Sequence, residues 1–191
     1  VTVPLEQLRQ WIDDAGGMQR LEAVAMCVAT AGSDNKPSSR MVLLRGLDDR
    51  GLRFYTSYGS RKAQQLRENA SAAALFYWPW MQRQVRVEGP VSETSDEESD
   101  DYFASRPRGH RLAAWASKQS EPIASYGVLE ERYAHFDARF EGEDVPRPHS
   151  WGGYVLRPHY VEFWENRPNR MHSRTAYTLH ADRWSSTLLQ P

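Results

Sequence analysis

Apolar residues recur at helical spacing near the start of the chain and in its middle; elsewhere they alternate or run in short blocks. In "PLEQLRQWIDDAGG", Leu5, Leu8, Trp11, Ile12 and Ala15 share one helical face, with Pro4 near the opening and Gly16-Gly17 as a stop. Strand-length runs follow in "AVAMCVATA", "SSRMVLLRGL", "LRFYTSY", "AAALFYW" and "RQVRVEGPV". Between them lie the turns "GSDNKP" and "DDRG", a helical "SRKAQQLRENA" and a break at Pro79-Trp80. "SETSDEESDDYFASRP" opens on a Ser-rich, acidic turn that suits a helix N-terminus. "PIASYGVLEERYAHFDARF" reads as a longer amphipathic helix in spite of Gly127, and the Pro-rich "EGEDVPRPHS" as a connector. Four strands close the chain: "WGGYVLRP", "YVEFWE", "MHSRTAYTL" and "RWSSTLLQP".

Strands, then helices, then strands predict an α+β fold organised round an antiparallel barrel. The pattern predicts a single domain over 1–191: an N-terminal helix in 1–20, barrel strands with an inserted helix in 21–92, a helical segment in 93–142 and C-terminal strands in 151–191.

Composition narrows the function classes. The net charge of −1 provides no overall field for a polyanion, which excludes nucleic acid as an expected partner and makes any phosphate affinity a local matter. Of the 24 basic residues only Lys36, Lys62 and Lys118 are lysines. Arginine grips planar anions bidentately, although genome composition alone can produce such a bias. Cys27 is the only cysteine, so neither an internal disulfide nor a cysteine metal cluster can form. It reads as a small buried hydrophobe in a strand. No apolar run approaches the roughly 18 residues of a membrane span, and the N-terminus has no signal-peptide pattern; a cytoplasmic protein with no membrane partner is expected. The chain opens on Val1 rather than Met, so its natural start is expected upstream.

Candidate chemistry gathers in a few segments. "FWENRPNRMHSR" sets Arg167, Arg170 and Arg174 around His172. If "RMHSRTAY" is extended, Arg170, His172 and Arg174 share one face, while Met171 and Ser173 point the other way. Such a row is costly to bury without an anion; the alternative is a solvent-facing edge strand whose charges discourage aggregation. In "YTSYGSRKAQQL", a strand ends at Tyr58, Gly59 turns, and Ser60, Arg61 and Lys62 open a helix, the makings of a phosphate site. In "SSRMVLLR", Arg40 and Arg45 flank the run Met41–Leu44 with opposite parity. In "DYFASRPRGHR", Tyr102 and Arg106 are four apart on an expected helix face, with Arg108, His110 and Arg111 behind. This group is either a second phosphate grip or a solvated patch balancing the acids before it. Gln119 and Ser120 are expected at a helix start. The chain lacks G-x-S-x-G, H-E-x-x-H, G-x-G-x-x-G and any spaced Cys/His set, so triads, metals and Rossmann cofactors lose support. Phosphate holders beside aromatic strands suit a flat, phosphorylated cofactor.

Taken in order from "AVAMCVATA" to the last residue, "SRMVLLR", "FYTSYGSRKAQQL", "RQVRVEG", "YFASRPRG", "AWASKQS", "VPRPHSWGGY" and "VEFWENRPNRMHSR" resemble the pyridoxamine 5′-phosphate oxidase family, FMN-dependent enzymes of vitamin B6 metabolism. The resemblance implies a split β-barrel homodimer with two FMN sites at the subunit interface. It implies that Arg40, Met41, Val42, Leu43, Leu44 and Arg45 line the FMN, and that Tyr55, Thr56, Ser60, Arg61 and Lys62 hold its ribityl phosphate region. Gln84, Gln119, Ser120, Trp164 and Arg174 would complete the pocket, partly from the other subunit. The substrate phosphate would fall to Arg45, Tyr102 and Arg106, with His110 beside them. Arg170 and His172, the implied catalytic pair, would lie over the pyridine ring. The implied reaction moves a hydride from pyridoxamine or pyridoxine 5′-phosphate to FMN, with O2 reduced to H2O2 and no metal involved.

Departures from the family pattern are Arg45 for a usual Lys, His110 for a frequent Ser, "RMHSR" for R-L-H-D-R, and a missing N-terminal arm. Two alternatives stay open: a flavin oxidase of phenazine-precursor type, and a split-barrel flavin binder without turnover.

Overall fold

The computed structural model of the chain describes residues 3–191. Helix α1 (Val3–Asp14) buries Leu5, Leu8 and Ile12, with Ala15 just beyond its end. Trp11 is half-buried, edge-on to Trp78 and Phe163. A one-turn α2 (Leu21–Val24), absent from the apolar pattern, leads into β1 (Ala25–Ala31), β2 (Pro37–Leu43), β3 (Gly46–Asp48) and β4 (Gly51–Ser57). Then come α3 (Arg61–Glu68), β5 (Ser71–Trp78) and β6 (Arg83–Glu93). The middle holds α4 (Asp96–Ala104), α5 (Arg108–Ala116) and α6 (Tyr126–Arg139), and the chain closes with β7 (Trp151–Leu156), β8 (Tyr160–Glu165), β9 (Ser173–His180) and β10 (Arg183–Leu188). None of the described helices is long and apolar enough to cross a membrane.

The strands form one antiparallel sheet in the order β10-β9-β8-β6-β5-β1-β2, with β7, β4 and β3 folded off β6. β6 makes the curl. Its Arg83–Glu88 stretch pairs with β8 and its Val91–Glu93 stretch with β7. At the changeover sits Gly89, where a Cβ would lie 1.8 Å from the carbonyl oxygen of Arg157. Only glycine permits that approach.

Period-two alternation sends one face of the sheet inward: Met26 and Val28, Ala74, Phe76 and Trp78, Val85 and Val87, Val161 and Phe163 are buried. Each of the larger side chains contributes about 1.5–3 kcal/mol of hydrophobic stabilisation. The opposite face carries small groups at its middle, among them Cys27 and Ala29, set against Met41, Leu75 and Ala73 by the strand register. Met41 and Tyr77 on this face are 63% and 56% exposed.

Three local expectations are corrected. α4 begins at the expected helix start, with a capping box of Ser95 and Glu98, but it ends at Ala104. Arg106 therefore lies beyond the helix that carries Tyr102, just before Pro107, where a continuing helix is disfavoured. Gln119 and Ser120 are not at a helix start, because α6 begins at Tyr126 and Ser120 has a left-handed φ of 74°. Arg170 is not in a strand: β9 begins at Ser173, and Asn169 and Arg170 take left-handed φ values of 58° and 62° in a turn opened by Pro168.

A second small core joins α5 and α6 through Leu112, Phe140 and Val145. Arg108 donates to the carbonyls of Glu143 and Phe140, and Arg111 pairs with Asp144. Arg108 ties α5 to the end of α6 and Arg111 ties it to the connector that follows, rather than the two forming a phosphate grip.

Candidate active site

Between β2, β4, the start of α3 and the α4–α5 junction lies a cavity of about 1030 Å³. Arg40, Arg45, Arg61, Lys62 and Arg106 line it, and no Asp or Glu does. One wall is aromatic. Tyr55 stacks on Tyr102 with ring centroids 4.0 Å apart and lies nearly parallel to Trp151 at 5.5 Å.

Arg106 crosses the Trp151 ring at 4.6 Å, and its Nη1 is buried with no partner among the described residues. Burial lowers its pKa, with Arg45 adding to the effect. A desolvated, unpaired guanidinium donor calls for an anionic ligand.

At the α3 end, the Ser60 hydroxyl caps the helix by accepting from Ala63 N–H. Lys62 is nearly fully buried; its Nζ donates to Thr56 Oγ1 at 2.8 Å and to Gln119 Oε1 at 3.3 Å. Burial first, and the charge of Arg40 second, bring its pKa down to about 8. Gln119 Oε1 also accepts from Thr56 Oγ1 at 2.8 Å. The left-handed turn at Ser120 thus delivers both residues to the cavity, in place of a helix terminus.

The expected site residues divide. Arg40, Met41, Val42, Leu43, Arg45, Tyr55, Thr56, Arg61, Lys62, Tyr102, Arg106, His110, Gln119 and Ser120 line the cavity. Two expected lining residues do not: Leu44 is fully buried in the core, and Ser60 is sealed beneath the helix it caps. Gln84, Trp164, Arg170, His172 and Arg174 stand apart from the cavity of their own chain. Register places Gln84 opposite Trp164 and Trp164 opposite Arg174 on the outer sheet face.

Arg174 Nε donates to the buried carboxylate of Glu162 at 2.8 Å, which raises the arginine pKa. His172 packs on Trp164 at 4.7 Å, and its Nδ1 accepts from the backbone N–H of Arg167 at 3.3 Å. Sequence reasoning missed Glu162 and Trp151. Each carried a usable signal: Glu162 shares the strand parity of Trp164, and Trp151 opens a strand directly after the Pro-rich connector.

Comparison with known proteins gives a similar division, with Gln84 and Trp151 as exceptions. A family model described as "Pyridoxamine 5'-phosphate oxidase" matches residues 13–139, which hold most of the cavity. A second, "Pyridoxine 5'-phosphate oxidase C-terminal dimerisation region", matches 151–191, which hold Trp164 to Arg174. The pyridoxine/pyridoxamine 5′-phosphate oxidase of Rubrobacter xylanophilus is 50% identical over 98% of this chain and 87% of its own length. That of Thermosynechococcus vestitus is 49% identical over 98% of this chain and 89% of its own. The chain belongs to the pyridoxine/pyridoxamine 5′-phosphate oxidase family.

Among solved structures, PhzG from Burkholderia lata 383, in complex with tetrahydrophenazine-1-carboxylic acid, superposes with a TM-score of 0.92 at 33% identity, covering 98% of this chain and 92% of that one. A pyridoxamine 5′-phosphate oxidase-related, FMN binding protein from Nostoc punctiforme, 19% identical, reaches a TM-score of 0.78 over the whole of both chains and shows the fold alone. The α+β split barrel expected from the sequence is the fold of the family, and the expected oxidase of B6 phosphates is the family's named activity.

Proposed function

We propose that this chain oxidises pyridoxine and pyridoxamine 5′-phosphates to pyridoxal 5′-phosphate as an FMN-dependent homodimer. In this arrangement the cavity of one subunit is completed by the outer sheet face of the other. The observation that carries the reading is the cavity itself: arginines and a lysine without a carboxylate, beside a stacked aromatic wall, in a space of about 1030 Å³.

The donor set fits FMN. Arg61 and Lys62, at the start of α3, would hold its phosphate, with Thr56 and Ser120 beside them. Lys62 and Arg40 repel one another in the absence of a counter-charge, and a phosphate relieves that repulsion. Arg45, Tyr102 and Arg106 would take the substrate phosphate, and the unpartnered Arg106 Nη1 is the donor in want of it. His110 borders that end.

The dimer is supported by the face that carries Gln84, Trp164 and Arg174. Its centre is small and apolar, its Met41 and Tyr77 are largely exposed, and the C-terminal stretch matches a dimerisation region. Burying such a face against its own copy is favourable.

FMN, when bound, supplies the redox chemistry, taking a hydride from the substrate and passing the electrons to O2 to give H2O2. The protein supplies position and charge. Gripping both phosphates would hold the substrate beside the cofactor and make the encounter effectively intramolecular. His172 Nδ1 is engaged by the Arg167 N–H, which leaves Nε2 as the ring nitrogen that would meet a substrate oxygen. Arg170 adds a cation beside it. No protein nucleophile is required.

The test is anaerobic mixing of FMN-loaded protein with pyridoxine 5′-phosphate. The flavin absorbance is expected to bleach and to return with peroxide on admission of air. Protein that retains no FMN, or that holds it without bleaching, overturns the reading. The PhzG likeness favours a phenazine-type substrate as a second reading, at lower identity than the B6 oxidases; turnover of a dihydrophenazine but not of pyridoxine 5′-phosphate would establish it.

A further inference from the structure

Behind Arg40 lies a buried polar network that none of the roles above uses. Gln65, one helical turn after Arg61 on α3, is 8% exposed, and its Oε1 accepts from Thr30 Oγ1 at 2.6 Å and from Ser38 Oγ at 2.8 Å. Its Nε2 donates to the carbonyl of Lys36 at 3.3 Å. The same two hydroxyls accept from Arg40: Nη1 to Thr30 Oγ1 at 2.7 Å and Nη2 to Ser38 Oγ at 2.5 Å. Arg40 Nη1 also reaches the carbonyls of Val28 and Ser38 at 3.2 and 3.1 Å.

A hydroxyl has one proton, and a guanidinium cannot accept one. Thr30 and Ser38 can serve Arg40 as acceptors and still dispose of their own protons because Gln65 Oε1 receives both. Turning the amide over would put an NH2 group against two hydroxyls whose protons then face a cation. The network therefore has one polarity, and the amide oxygen sets it. The guanidinium is clamped along one edge, while its Nε–H and one Nη2 N–H have no acceptor among the described residues and are available to a ligand in the cavity that Arg40 lines.

We propose that Gln65 is a positioning residue for the cofactor: it orients the Thr30 and Ser38 hydroxyls, and these hold the Arg40 guanidinium in the attitude that meets the flavin. This inference rests on the reading of the cavity as the FMN site.

A double-mutant cycle on the deflavinated chain tests it, with FMN affinity read from quenching of flavin fluorescence. Gln65→Leu is expected to weaken FMN binding about tenfold, the order expected when one charge-assisted hydrogen bond loses its geometry. In an Arg40→Ala background, Gln65→Leu should have no further effect. Gln65→Glu, which keeps an acceptor for both hydroxyls, should bind FMN more tightly than Gln65→Leu. A purely structural role for Gln65 predicts equal losses in both backgrounds and no rescue, and either result overturns the proposal. Should Gln65→Leu fail to fold, Thr30→Val enters the same cycle with the same expectation and the same refuting outcome. Failure of the underlying reading is separate: there Arg40→Ala itself leaves FMN affinity unchanged.

Discussion

The cavity and the outer-face cluster use the same residue types but are built in opposite ways. Around the cavity, two of the cations are fixed by hydrogen bonds from their own chain: Lys62 by Thr56 and Gln119, Arg40 by Thr30 and Ser38. Arg170 and His172 belong instead to a turn with two successive left-handed residues, tied down by Asn166 to Gln82 and by a single bond to the imidazole. Lys62 and Arg40 are held by the fold, as Arg174 is by Glu162; Arg170 and His172 lie on a surface and, in the proposed dimer, would acquire their ligand when a second copy brings them a cavity. On that proposal, a residue belongs to a site without belonging to its own chain's pocket.

The largest expected effect comes from separating the halves. Ala73→Glu sets a carboxylate in the outer face opposite Glu88, with little to disturb in the isolated subunit, because Ala73 is exposed there. Light scattering should report a monomer, and FMN affinity should fall by about a hundredfold, the order for losing Trp164 and Arg174 together. A monomer that binds FMN normally would dissolve the comparison.

Next is Arg106→Ala, confined to the cavity. The KM for pyridoxine 5′-phosphate should rise about tenfold or more with kcat nearly unchanged, as for loss of a contact made equally in ground and transition states. An unchanged KM would show that the substrate phosphate sits elsewhere.

The Lys62 titration gives a smaller, graded effect. In the FMN-free protein its pKa is depressed to about 8, and a phosphate ligand favours the protonated form. FMN affinity should therefore be fully present below about pH 8 and decline above it, with proton uptake on binding detectable by calorimetry in two buffers. The opposite slope holds for folding: the unfolded chain keeps the lysine proton up to its ordinary pKa near 10.5, so the FMN-free fold gains stability as pH rises from about 8 to that value. Lys62→Met should flatten both curves.

The smallest effect is a control on neither half. Ser95→Ala removes the α4 cap and should cost about 1 kcal/mol in chemical denaturation, leaving FMN affinity alone.

Much of this architecture could be read from the chain because alternation is a local code. The inward residues of β1, β5, β6 and β8 follow it residue by residue, and the Ser60–Lys62 helix start was visible from a strand, a glycine and a cap. Where reading failed, a backbone break intervened. Parity predicted Arg170, His172 and Arg174 on one strand face, but Pro168 and two left-handed residues end the strand pattern before Ser173. Helical spacing joined Tyr102 to Arg106, but Pro107 stops the helix. Part of each group still gathers: His172 packs on Trp164, the strand partner of Arg174, and Tyr102 and Arg106 both lie against Trp151. Gln65 escaped notice for a different reason: its partners Thr30 and Ser38 are distant in sequence, and nothing local announces a network assembled from two strands and a helix.

β6 gives the molecule a built-in ruler. One continuous backbone runs from Gln84, under the outer cluster, through the tight passage at Gly89 to Glu93, beside the strand that starts with Trp151. In the proposed dimer, the distance between what a subunit offers and what it needs would be set by this one strand. In the proposed two-fold dimer both distances would have to match at once, so the bend that lets this strand serve two sheets would also favour a mate of the chain's own shape.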